Sequence, residues 1–482
     1  MKDSYQEKEL EILRNAVDKA DKITGKQLVS SPEVQKMIFI VENFIRDKKL
    51  ICYGGTAINN ILPDDDKFYD KETELPDYDF FSMNAIEDAK ELADIYAKEG
   101  FVEVEAKSGV HKGTYKVYVN FTPVADITYL DPEIYKNLLR DSINIVGIHY
   151  ASPNFLRMSM YLELSRPAGD VSRWEKVLKR LSLLNKNYPL RGYNCDETEF
   201  QRDTKLSQDE NKNLTMVTRS SLINMGVIFF GGFAISLYSR YMPKHIQEQF
   251  RMVPDFDVLS ENPKQTADLL KDRLQDEGYT KVKIVYHDAI GEIVAPHYDV
   301  RVGKETVCFI YEPLACHSYN VVKIKGMHVK IATIDTMLSF YLAFLYTDRP
   351  YYDEERILCM CEFLFKVQQK NRLQQKGVLK RFSIKCYGEQ ETLGSIREKK
   401  ANKYEELKDK KGSKEWNEWF LRYVPKELEA SKKETEERKM KKKTLKKENT
   451  KTQHKTRKTR KNRKNRKNRK IAKQKLGFLD FK

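Results

Sequence analysis

Residues 53–82 read YGGTAINNILPDDDKFYDKETELPDYDFFS, and residues 229–260 read FFGGFAISLYSRYMPKHIQEQFRMVPDFDVLS. Both stretches open on a Gly-Gly pair, pass through a short apolar segment and a polar loop, and end on two aspartates one residue apart. A short apolar run before the glycines, LICYGG, predicts a strand that ends in a sharp turn, and TAINNIL has the apolar spacing of one or two helical turns. The polar loop carries Pro63 and Pro76 and leads into DYDFFS, whose alternation is that of a strand.

The two stretches are the most legible part of a longer duplication. Gly54-Gly55 matches Gly231-Gly232, and the pair Asp77 and Asp79 matches Asp255 and Asp257. Further on, Gly147-Ile148-His149 matches Gly326-Met327-His328, the Ser159 to Leu162 stretch matches Ser339 to Leu342, and Arg166-Pro167 matches Arg349-Pro350. Matches in one order at a nearly constant offset indicate a repeated unit, and a repeat fixes the architecture. In the first copy NAIEDAKELADIYAKEG reads as an amphipathic helix ending at Gly100, while GTYKVYVNF and PVADITYL read as consecutive strands. In the second copy the helix is TADLLKDRLQDEG, with strands near 281–287 and 298–311. Two mixed α/β modules in tandem are therefore expected.

Alternate residues of a strand point to one face, so Asp77 and Asp79 project together while Tyr78 turns the other way. Two ionised carboxylates held that close repel unless cations or hydrogen bonds offset them. Asp126 interrupts PVADITYL, on the face shared with Val124 and Thr128, and is the candidate third acid. Three such carboxylates can bridge two divalent ions about 3.5–4 Å apart, the arrangement used to activate an attacking hydroxyl and to stabilise a leaving pyrophosphate. Gly54, Gly55 and Thr56 would then serve as the phosphate-holding turn, because glycine lets an anion approach the backbone N–H groups at a helix start. Arg157, Lys176, Lys179 and Arg180, on two helices further along, are candidates to offset the remaining negative charge of a triphosphate. A lone Gly-Gly is commonly only a turn, and a lone Asp-x-Asp only a solvated edge. Their order along one module is what points to nucleotidyl transfer.

The formal charge of +16 is concentrated at one end. Residues 438–475 carry 21 Lys and Arg against a single acid, Glu448, which leaves the remainder of the chain at about −4. The tail, with KTRKTRKNRKNRKNRK at 455–470, is low-complexity and self-repelling and is expected to be disordered. It suits nonspecific retention of a polyanion such as RNA, or a targeting signal. The seven cysteines form no CxxC pair, which predicts reduced thiols and no zinc site. The N-terminus is charged from its second residue, so a soluble intracellular protein without membrane contact is expected.

YGGTAIN, the LPDYDFFS strand, Asp126 and the YLELSRP and RWEKVLKRL helices together resemble the DNA polymerase β-type nucleotidyltransferase superfamily. More closely they resemble the poly(A) polymerase catalytic subunits of poxviruses and giant DNA viruses. The resemblance spans roughly residues 30–390. The 21 residues between Gly55 and Asp77 exceed the spacing in many members, so Asp64 to Glu74 are expected to form an inserted loop. The resemblance implies ATP and the 3′ end of an RNA as reactants, two Mg²⁺ or Mn²⁺ ions held by Asp77, Asp79 and Asp126, and a location in the cytoplasm of the host cell, in a viral factory, or in the virion. A homodimer and a separate processivity subunit both remain open, as do a terminal nucleotidyltransferase of other base or acceptor specificity and a noncatalytic RNA-binding scaffold.

The fold class expected is thus α/β (mixed α+β), with two tandem nucleotidyltransferase-like modules and a basic tail. The segments are an N-terminal helical segment (1–30), a catalytic module (31–200), a degenerate module (201–390), a helical C-terminal segment (391–437) and the tail (438–482). The second module is degenerate because aligning the Tyr-Glu-Pro at 311–313 with the Tyr-Leu-Asp-Pro at 129–132 puts Val307 where the first copy has Asp126. Glu305 lies two residues earlier on the same face.

Overall fold

The computed structural model describes residues 2–196, 198, 208–244, 247 and 256–428. Asp255 and the basic tail at 438–482 lie outside the described residues.

The duplication is visible strand by strand. The first module contains β1 (Ile51–Cys52), β2 (Asp79–Ser82), β3 (Val104–Ser108), β4 (Thr114–Val119), β5 (Thr122–Tyr129), β6 (Ile143–Ile145) and β7 (Ile148–Tyr150). The second contains β8 (Ile228–Phe229), β9 (Phe256–Leu259), β10 (Val282–His287), β11 (His297–Val302), β12 (Glu305–Tyr311), β13 (His317–Ile324) and β14 (Met327–Ala332). The spatial orders are β3-β4-β5-β2-β1-β7-β6 and β10-β11-β12-β9-β8-β14-β13, so each strand of one module has a counterpart in the other. Directions agree too: β1–β2 and β8–β9 are antiparallel, while β2–β5, β9–β12, β1–β7 and β8–β14 are parallel. Two short strands complete the sheets, β15 (Cys386–Tyr387) beside β13 and β16 (Arg422–Tyr423) beside β3.

The repeated Gly147 and Gly326 have a local cause. Val146-Gly147 and Lys325-Gly326 sit at φ +51°/+80° and +46°/+86°, closing the β6–β7 and β13–β14 hairpins through turns with two left-handed residues. The matched Ser159 and Ser339 stretches lie on the helices Pro153–Leu164 and Ile334–Phe344, capped by the hydroxyls of Ser152 and Thr333.

These two corresponding helices pack against each other and join the modules. Ile334–Phe344 is buried at every position, including Asp335, which pairs with Arg381. Around it Ser152 and the Tyr346 hydroxyl are 2.6 Å apart, Asn137 Nδ2 donates to the Tyr346 carbonyl at 3.1 Å, and Arg349 pairs with Glu133 at 3.0 Å. A single apolar core consequently runs through both modules. The cysteines differ from the expectation of reduced thiols: Cys195–Cys359 and Cys316–Cys386 are disulfide-bonded, and Cys52, Cys308 and Cys361 are buried thiols outside these two bonds. Their partners are 164 and 70 residues apart, a pairing that spacing along a chain does not reveal.

Candidate active site

The Gly-Gly turn and the acidic strand meet through backbone and side chain alike. Tyr53 N–H donates to the Asp79 carbonyl at 2.9 Å, and the Thr56 hydroxyl donates to the Asp77 carbonyl at 2.6 Å. Gly54 opens the helix Gly54–Ile61 with φ +73°, and a Cβ there would stand 2.6 Å from Asp79 Oδ2. At Gly55 a Cβ would stand 2.7 Å from the Tyr69 hydroxyl and 2.9 Å from the Arg180 guanidinium. Both glycines are therefore dictated by close approach of the groups around them.

The three acids come together by sheet register. Asp79 opens β2 and lies directly across from Asp126 on the parallel strand β5, while Asp77 stands exposed just before β2. Tyr78 turns into the core and donates to Glu42 Oε1 at 2.6 Å, which aims its two neighbours the other way. Lys116 is across from Asp126 on β4 and forms an ion pair with it.

Burial, reinforced by Asp77 and then Asp126, pushes the Asp79 carboxyl up to about 7, against the pull of Lys116 and Arg173. Partial desolvation of its carboxyl, which the strand end shields although the residue as a whole is exposed, followed by the charge of Asp126, likewise raises Asp77, with Lys116 and Lys176 pulling it back. Among the described residues no three His, Cys, Asp or Glu side chains form a ready-made metal-ligand group, and the Asp126 carboxylate pairs with Lys116. The chemistry of the donors nonetheless fits a divalent cation. They are hard carboxylate oxygens, drawn together at mutual electrostatic cost, that a cation would offset.

A pH dependence follows. Ionisation of Asp79 is disfavoured by folding, so its contribution to stability is complete below about pH 4, the usual aspartate range, and is lost as pH rises towards about 7. In a chelating buffer the thermal midpoint at pH 8 is expected to rise by about 1–3 °C on Asp79→Asn, with no rise at pH 4. Equal shifts at both pH values would contradict the electrostatic account.

The cationic candidates separate. Arg180 reaches the Gly55 turn, and Lys176 acts electrostatically on Asp77. Lys179 pairs with Glu175 at 2.6 Å on the exposed side of the helix Trp174–Asn187. Arg157 is not presented to the site: it is 1% exposed, donates from Nε to Asn185 at 2.8 Å, and also binds Asn154 and the Tyr188 carbonyl. It ties two helices together instead. Lys116 escaped sequence reading because a bulge at Val117/Tyr118 shifts the hairpin register, putting it across from Asp126 rather than Ala125.

The second module keeps the scaffold and loses the site. A Cβ on Gly231 would fall 2.1 Å from Asp257 Oδ2, mirroring Gly54 and Asp79. Register puts Phe309, not Val307, across from Asp257, so the position of Asp126 holds a buried aromatic ring. Phe309 lies 5.1 Å from the ring of Tyr351. Across from Phe309 on β11, where the first module has Lys116, is the fully buried Asp299, paired with Arg301 at 2.5 Å. Glu305 lies at the start of β12, four residues from Phe309.

Residues 39–170 match the family described as poly(A) polymerase catalytic subunit. That span contains Gly54, Gly55, Asp77, Asp79 and Asp126. A curated relative in African swine fever virus (isolate Tick/Malawi/Lil 20-1/1983), named "Putative poly(A) polymerase catalytic subunit", is 34% identical over 180 residues, covering 36% of this chain and 38% of that protein. A relative of the same name in Acanthamoeba polyphaga mimivirus is 31% identical over 225 residues, covering 42% and 37%. The chain thus matches less than two fifths of the length of these relatives. The crystal structure of the Megavirus polyadenylate synthase superposes with a TM-score of 0.74 at 21% identity, over 90% of this chain and 89% of that one. The two chains therefore share a fold across both modules.

Proposed function

We propose that this chain is a template-independent poly(A) polymerase that transfers AMP from ATP to the 3′ hydroxyl of RNA. The observation that carries the reading is the convergence of Asp77, Asp79 and Asp126 beside the Gly54-Gly55 turn, within the segment that matches the poly(A) polymerase family.

In this reading the 3′ oxygen of the RNA attacks the α-phosphorus of ATP, a phosphodiester bond forms, and the bond to the pyrophosphate oxygen breaks. Asp77, Asp79 and Asp126 would hold divalent cations, Mg²⁺ or Mn²⁺, which when bound activate the attacking hydroxyl and stabilise the leaving group. The chain's own groups bind and orient. Gly54, Gly55 and Thr56 bring the backbone at the helix start to the triphosphate, while Arg180 and Lys176 offset its charge. Thr56, by holding the Asp77 carbonyl, keeps the turn and the acids in one frame. The second module, with Phe309 where an acid would be needed, serves as scaffold or RNA platform.

Likeness to viral proteins supports a place in the host cytoplasm, in a viral factory or virion, and the relatives' printed name supports a partner subunit. No described helix is long and apolar enough to cross a membrane. A scaffold without activity has no use for three carboxylates that repel one another.

The test is extension of a short labelled RNA with each of the four nucleotides separately, in Mg²⁺ or Mn²⁺. Long ladders with ATP alone are expected. Equal ladders with UTP would move the reading to a different terminal nucleotidyltransferase, and no extension with any nucleotide would overturn it.

A further inference from the structure

The polar loop between the Gly-Gly helix and β2 is pinned at several points. Asn59, 2% exposed on Gly54–Ile61, accepts from the backbone N–H groups of both Phe68 and Tyr69 at 2.8 Å. Asp66 accepts from Lys186 Nζ and Asn187 Nδ2, each at 2.8 Å, and the Tyr188 hydroxyl donates to the Ile61 carbonyl at 2.6 Å. The loop is therefore a bridge between the Gly-Gly helix and the end of Trp174–Asn187.

Besides Lys186, the bridge holds Arg180. The Arg180 guanidinium lies 4.9 Å from the centre of the Phe68 ring and 5.4 Å from that of Tyr69, and it donates to the Tyr69 hydroxyl at 2.5 Å. Arginine and hydroxyl meet above Gly55, the residue whose missing side chain makes room for both. An aromatic face beneath a guanidinium leaves its in-plane N–H groups directed outward, and the tyrosine takes only one of five donors.

We propose that Tyr69 is a positioning residue, which together with Phe68 fixes Arg180 over the Gly54-Gly55 turn so that the guanidinium meets the nucleotide's triphosphate already oriented. A flexible arginine loses rotamer freedom when it binds an anion, and one held in advance has less to lose. The inserted loop then belongs to nucleotide affinity. This inference rests on the turn being a triphosphate site.

Calorimetric binding of inorganic tripolyphosphate to the full chain tests it without requiring turnover, so a failure of the polymerase reading leaves the test intact. Arg180→Ala is expected to weaken binding about thirtyfold and Tyr69→Phe about fivefold, with the double variant no weaker than Arg180→Ala alone. Phe68→Leu, which leaves the hydroxyl in place, is expected to weaken it about threefold. Thermal midpoints serve as the control for folding, and a purely structural role would move them and leave anion affinity unchanged. If Arg180→Ala weakens binding while Tyr69→Phe and Phe68→Leu do not, the positioning role is wrong and the anion site stands. If Arg180→Ala has no effect, the triphosphate reading of the turn fails as well.

Discussion

Asp79→Asn is expected to lower adenylate transfer by about a thousandfold, the scale on which removal of one preorganised electrostatic group at a reacting centre is felt. The residue is singled out by geometry: it is the acid that faces Asp126 across the sheet and touches the Gly54 turn, and burial, then Asp77 and Asp126, push its carboxyl towards neutrality. Asparagine keeps its shape and removes its charge, so RNA binding should persist while transfer disappears. A loss of less than about tenfold in single-turnover extension would mean that the acids are not the reacting centre.

Asp335→Ala is expected to destabilise the protein by about 3–5 kcal/mol in urea unfolding, because it strands a buried cation. Arg381 donates to both oxygens of Asp335, at 3.0 and 2.9 Å from Nε and 2.8 Å from the second guanidinium nitrogen. The two side chains are 12% and 1% exposed. Asp335 lies in the first turn of Ile334–Phe344, the helix against which Pro153–Leu164 packs, so its loss loosens the joint between modules. Replacing both partners, Asp335→Leu with Arg381→Met, should be milder than the single change, since no charge is then left unpaired. A cost below about 1 kcal/mol for Asp335→Ala would show that Arg381 finds water or another acceptor.

Much of this was readable from one strand-turn-helix-strand pattern and its copy. The Gly-Gly pairs, Asp79, Asp126 and the module rhythm are local features that the structure puts on the elements their spacing indicates, whereas Asp77 stands just before β2 rather than on it and Asp255 lies outside the described residues. What escaped is non-local. Arg157 has the spacing of a helix cation, but its environment is set by Asn154, Asn185 and Tyr188, and only tertiary packing shows that it is buried. Lys116 was hidden by a bulge, and Phe309 by an alignment anchored on the Tyr-Glu-Pro at the end of β12, which slips by two residues relative to the strand register. The inserted loop was visible as extra length, whereas its contact with Arg180 was not.

The most direct test of the central claim is anomalous diffraction from crystals of the full chain soaked with Mn²⁺ and a non-hydrolysable ATP analogue. The account predicts manganese between Asp77, Asp79 and Asp126, with Asp126 released from Lys116, and none beside Asp257 and Phe309 in the second module. Manganese in the second module, or none at the three acids while the analogue is bound, would contradict it.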